Sequence, residues 1–234
     1  MDTTQTRGVT GSSAAAGPAP FRFYTSLVLP ESTGLRASTL PTLAKLLRTV
    51  PASSVYHHTH YFLLQHHYLR PEPANDFAYW VTEVLGDARL GEWLASIDTM
   101  AYASLEALRE VLARTIETYL DECPQSRLRF VSEGEEFFFL KAVHVIIPTP
   151  DTAATLLEFA QALERVSPSS LYFHMFEARL RLGQPTNDFA TWFGDQLGLK
   201  ELAAQVTQLD PYAHTLETLR ATLLALLRQH LGLL

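Results

Sequence analysis

Five of the nine histidines in this 234-residue chain fall between His57 and His67. Imidazoles one helical turn apart can ligate one Zn²⁺ or a similar ion, with a carboxylate or water completing the shell. His57 and His60 have that spacing and are the candidate metal ligands. His67 shares their helix face, in steps of three and then seven through Leu64, but ten residues of helix span about 15 Å at a rise of about 1.5 Å each. It cannot reach an ion held by the other two, so a metal site here needs ligands from another segment. No His-Glu-x-x-His signature supplies one, and the sequence names no cofactor.

A second group can move protons. His58 and His174 each lie two residues after a tyrosine, Tyr56 and Tyr172, and His174, Glu177 and Arg181 line one helix face in steps of three and four. A Glu beside a His orients the imidazole and raises its pKa, and an arginine one turn on can hold an anionic group. His58, His174 and Glu177 are therefore the candidate catalytic residues. Arg181, with Asp76 and Asp188 from two Asn-Asp-Phe-Ala motifs, makes up the candidate ligand-binding set.

Each group also has an architectural explanation, which the spacing favours. An Asn or Asp before a helix caps it, a contribution of about 1 kcal/mol. The Phe and Trp that follow three apart, Phe77 and Trp80 or Phe189 and Trp192, then form a buried stripe. His58 and His174 can serve as a polar network that holds helix register. His57 and His60 face a packed surface, because their counterparts further along the chain are Phe173 and Phe176.

Those counterparts come from an internal repeat. Asn75-Asp-Phe-Ala-Tyr-Trp80 returns as Asn187-Asp-Phe-Ala-Thr-Trp192, and Ser53-Ser-Val-Tyr-His-His58 as Ser169-Ser-Leu-Tyr-Phe-His174. Leu105-Glu-Ala-Leu-Arg109 returns as Leu216-Glu-Thr-Leu-Arg220. Matches in the same order imply a tandem duplication. In each copy the apolar periodicity predicts a helix (37–50 and 151–166), then a second running to about His67 or Leu182. A third helix follows the Asn-Asp cap, then a short fourth, then a long fifth (about 104–120 and 215–231). Phe21 to Leu29 and Phe137 to Ile147 are aromatic and β-branched; either can be a strand, and the two can pair across the copies.

The composition narrows the classes. At 47% hydrophobic and 18% charged the chain is rich enough to bury a core. Eighteen basic against twenty-five acidic residues, a net charge of −7, argue against nucleic acid as a partner, since phosphate binding needs a basic face. No apolar run is long enough to span a bilayer, and the small, polar N-terminus has no signal-peptide core, so a cytoplasmic protein with no membrane partner is expected. A single cysteine, Cys123, excludes an internal disulfide. There is no Gly-rich phosphate loop and no Gly-x-Ser-x-Gly elbow.

Tyr-His-His-Thr-His60 and Asn-Asp-Phe-Ala-Tyr-Trp80 resemble the first half of a bacterial and archaeal family known as domain of unknown function 5752. Ser-Leu-Tyr-Phe-His-Met-Phe-Glu-Ala-Arg-Leu-Arg-Leu-Gly183 and Leu-Asp-Pro-Tyr212 resemble its second half. The resemblance runs from Phe21 to Leu231. It implies no established reaction; it implies at most a carbohydrate-active partner such as a glycosyltransferase.

The sequence therefore predicts an all-α fold, with at most two short strands, of two tandem homologous helical bundles related by pseudo-twofold symmetry and sharing a core. The divisions are a disordered tail (1–20), a first helical repeat (21–120), a linker (121–136) and a second helical repeat (137–234). The expected function is that of an interaction or regulatory module linked to carbohydrate metabolism. The alternative is a metal-dependent or His-based enzyme with its site between the repeats.

Overall fold

Large apolar residues alternate with exposed ones at Phe21-Arg-Phe23 and Phe137-Phe-Phe139, and each run opens a 17-residue strand. The computed structural model describes residues 18–62, 75–99, 101–102, 104–178, 186–209 and 215–233. Strands β1 (Phe21–Ala37) and β2 (Phe137–Ala153) pair antiparallel, with Phe21 opposite Ala153, Leu27 opposite Val145 and Ala37 opposite Phe137. The register shifts twice, between Arg22 and Tyr24 and between Ser32 and Arg36. In the second shift Gly34 has φ of 73°, a conformation that an L side chain rarely adopts.

The fold is thus α+β, and the all-α expectation is corrected by two long strands that cross between the halves. The expected pair of helical bundles packed about a pseudo-twofold axis gives way to halves laced together by this sheet. Pro30, Pro148, Pro150 and Gly34 make the distal part of each strand read as loop. In a two-stranded sheet both strands are edges, so prolines are tolerated there, and the pairing comes from residues a hundred or more positions apart.

Ten α-helices occur among the described residues. In the first half these are α1 (Leu40–Leu47), α2 (Ala52–Tyr56), α3 (Asp76–Tyr79), α4 (Ala88–Ala95) and α5 (Leu105–Glu122). In the second half they are α6 (Leu156–Arg165), α7 (Pro168–Tyr172), α8 (Asp188–Asp195), α9 (Lys200–Thr207) and α10 (Leu216–His230). Thr39, Thr155, Ser104 and Thr215 begin α1, α6, α5 and α10, each side chain accepting a backbone N–H of the first turn. Both α2 and α7 widen into π-helical turns, His57–Tyr61 and Phe173–Glu177. The expected continuations of these helices fall within 63–74 and 179–185, and most of the expected tail falls within 1–17; all lie outside the described residues.

Two cores form, and each is completed by the start of the other half's strand. Phe137 and Phe139 of β2 pack with Leu43, Phe77 and Leu112 of the first half. Phe21 and Phe23 of β1 pack with Phe159, Phe189 and Phe193 of the second. A small third cluster of Val28, Tyr56 and Ala142 lies between them. The segment expected as a linker carries a 3₁₀ turn, Pro124–Leu128, in which the Ser126 hydroxyl donates to Asp87. Trp80 Nε1 anchors its far end by donating to the Glu135 carbonyl.

Candidate functional site

The sites begin where the helices meet the strands. His58 is buried on α2's π-helical extension; its Nδ1 lies 2.6 Å from Asp76 Oδ2, and its Nε2 accepts the Leu140 N–H of β2 at 2.9 Å. A nitrogen that accepts carries no proton, so the ring proton sits on Nδ1 and is donated to Asp76. The second half repeats the arrangement. His174 Nε2 accepts the Tyr24 N–H of β1 at 2.9 Å, and Nδ1 lies 2.7 Å from Asp188 Oδ2. Alongside, Ser54 donates to the Leu140 carbonyl and Ser170 to the Tyr24 carbonyl, both at 2.7 Å.

Each His-Ser pair therefore takes both backbone groups of one residue on the opposite half's strand, and an aspartate fixes the imidazole. Asn75 and Asn187 hold those aspartates in place, accepting from Ala78 and Ala190 N–H at 2.9 Å while donating to carbonyls of Leu94 and Val206. Both nitrogens of His58 and of His174 are engaged. Proton transfer by either ring requires breaking one of these bonds first.

His174 and Glu177, read together from the sequence, part company here, and Arg181 lies outside the described residues. The Glu177 side chain turns to the boundary between the halves and is 5% exposed. Its Oε1 accepts from Ser26 Oγ and from Tyr56 OH, both at 3.0 Å, and lies 3.6 Å from His144 Nδ1. The carboxylate floors a cleft of about 350 Å³ walled by Tyr56, Leu105, His144, Ile146 and Phe173. Beneath it Tyr172 OH donates to the His60 carbonyl at 3.3 Å, and complete burial raises the Tyr172 hydroxyl well above the usual phenol range.

His57 and His60 do not converge on a third ligand: among the described residues no group of three or more His, Cys, Asp or Glu is placed to hold an ion. His60 stacks on Tyr56, and its Nδ1 donates to Thr59 Oγ1, whose own proton goes to the Val55 carbonyl. Burial pushes its pKa down to about 4. His57 is lowered to about 4 by burial and by the neighbouring His58, and its buried Nδ1 has no hydrogen-bond partner among the described residues.

Sequence reasoning missed Ser26, Tyr56 and His144. The signal was in the 116-residue offset between Ser53 and Ser169, carried back into the strands: Ser26, His144 and Glu177 stand where Ala142, Val28 and Tyr61 stand in the other half. These three apolar-side residues pack together, with Tyr61 OH donating to the Val28 carbonyl at 3.3 Å. Three polar residues gathered on one side answer three less polar ones on the other.

Residues 18–228 match the sequence profile of the family of unknown function DUF5752. The chain belongs to that family. A search of proteins with curated functions finds no match. Among solved structures the chain is similar to OrfY from Thermoproteus tenax, at 29% identity and a TM-score of 0.77, over 92% of this chain and 97% of that one. The family match takes in both strands, both His-Asp pairs and the Glu177 cleft. Among the described residues no helix is long and apolar enough to cross a membrane.

Proposed function

We propose that the chain is a non-enzymatic binding module whose ligand site is the cleft floored by Glu177. One observation carries the reading: a buried carboxylate gathers hydroxyls from β1 and α2 at the base of an apolar cleft between the halves. Few convergent polar groups in a mostly apolar cavity are the usual form of a small-molecule site. A ligand there touches both halves and the sheet that joins them, so binding is coupled to how the halves are held, which is what a regulatory module requires. The partner it serves is a carbohydrate-active protein such as a glycosyltransferase, a reading supported by the family resemblance, and the setting is cytoplasmic. Asp76 and Asp188 then serve the architecture, by fixing His58 and His174. Ile146→Trp, at a half-exposed position, fills the cleft without touching the carboxylate. Ligands that raise the melting temperature of the native chain and leave the Ile146→Trp protein unchanged support the reading; a metabolite collection that shifts both equally overturns it.

A metal-dependent or His-based enzyme, with His57 and His60 as ligands and His58, His174 and Glu177 as its acid–base groups, is the second reading. The Nδ1 of His57, without a partner among the described residues, favours it, since a buried imidazole nitrogen usually has one. Stoichiometric transition metal in untagged protein that disappears on His57→Ala supports it, and metal-free protein with unaltered folding of that variant overturns it.

A further inference from the structure

We infer that the ligand of the Glu177 cleft is an organic cation, a small ammonium compound with an apolar body. This rests on the cleft being the binding site, as proposed above. Three features point the same way.

Glu177 is buried, yet among the described residues no lysine or arginine pairs with it. Its neighbours are two neutral hydroxyls and His144. A buried carboxylate flanked by two hydroxyls and a histidine, with no lysine or arginine among the described residues, lacks the permanent counter-charge that normally accompanies it.

The neighbours crowd onto one oxygen. Ser26, Tyr56 and His144 all address Oε1, while Oε2 has no hydrogen bond among the described residues and belongs to a side chain lining the cleft. That oxygen is the acceptor the side chain has left for a guest.

The walls suit a cation rather than a hydroxyl-rich or anionic guest. Tyr56 and Phe173 bring aromatic rings, whose faces attract an ammonium group, and Leu105 and Ile146 bring aliphatic surface. A volume of about 350 Å³ admits a compound of benzylamine's size, near the small end of ligand pockets. An anion would meet the carboxylate with no lysine or arginine among the described lining residues to offset it. On the other side of the boundary Tyr61 stands in place of the glutamate and packs against Val28, Tyr56 and Ala142.

The test is an NMR titration of the full chain with three probes of one shape: benzylamine, benzyl alcohol and benzoate. Benzylamine is expected to bind at least about tenfold more tightly than the alcohol, with benzoate weakest. Glu177→Gln, which keeps an acceptor for Ser26 and Tyr56, is expected to bring amine and alcohol within about threefold of each other. Ile146→Trp, which leaves the carboxylate intact, removes binding of both. Equal affinity for amine and alcohol on the native chain, or an amine preference that survives Glu177→Gln, overturns the cation while leaving the cleft as a site. Cleft resonances unmoved by all three probes overturn the cleft itself.

Discussion

The His58 and His174 regions are alike almost atom for atom, whereas the regions around Tyr61 and Glu177, one turn further along the same helices, are not. Each histidine accepts a strand N–H from the opposite half at 2.9 Å and points its other nitrogen at an aspartate. Each neighbouring serine donates to the carbonyl of the same strand residue. Such a contact is needed wherever a helix grips the crossing sheet, so its presence in both halves follows from architecture. Glu177, Ser26 and His144 form a polar floor that architecture does not call for, because Tyr61, Ala142 and Val28 do the structural work in the other half with apolar contacts. The lesson is to look for function where corresponding positions diverge together. The residues first singled out for being the same in both halves are the ones the fold most needs.

The largest expected effect tests the likeness. His58→Ala or His174→Ala leaves a strand N–H unpaired and a cavity in a packed layer, and each is expected to cost about 3 kcal/mol of unfolding free energy. Denaturant titrations of the two variants should agree within about 1 kcal/mol; a large effect from only one of them breaks the equivalence.

Next comes acid sensitivity, which the halves do not share. His57 and His60 are held neutral down to about 4, against 6.5 for a free imidazole, while Phe173 and Phe176 occupy the other side. Between those values the unfolded chain binds protons that the folded chain refuses, so stability falls as pH drops from 6.5 toward 4. The loss is on the order of 3 kcal/mol for the enclosed His60 and smaller for His57. A His57→Phe, His60→Phe double variant is expected to flatten that part of the stability–pH curve; an unchanged slope assigns the acid loss elsewhere.

A smaller effect, about 1 kcal/mol each, is expected for Ser54→Ala and Ser170→Ala, which remove one hydroxyl-to-strand hydrogen bond apiece. Hydrogen exchange should show local loosening at Leu140 and Tyr24, the strand residues they hold. Smallest of all is Glu177→Gln, expected to change stability by less than about 1 kcal/mol because the amide oxygen still accepts from Ser26 and Tyr56. A large destabilisation there makes Glu177 a structural residue and removes the contrast.

Helices and their caps were legible in the sequence because they are local: Asn75 lies three residues before Ala78, whose N–H it accepts, and the apolar stripe of α6 repeats every turn. The strands were legible only at their aromatic starts. Beyond Leu29 and Ile147, proline, glycine and charged residues masked them, and the partner residues that fix them are a hundred or more positions away. The site suffered most from this. The acceptor role of His58 depends on Leu140, 82 positions on, and Glu177 meets Ser26 across 151 positions. Spacing along one helix placed Glu177 beside His174, and the fold sends the two side chains to different tasks.

The central claim, that ligand recognition resides on the Glu177 side alone, is tested most directly by converting that side into its counterpart. The triple variant Ser26→Ala, His144→Val, Glu177→Tyr leaves both His-Asp pairs and both cores untouched. Thermal melting of the native chain and this variant, each against the same collection of small amines, is the measurement. Ligands that stabilise the native chain and not the variant are the predicted result. Ligands that stabilise both alike contradict the account and place recognition elsewhere in the molecule.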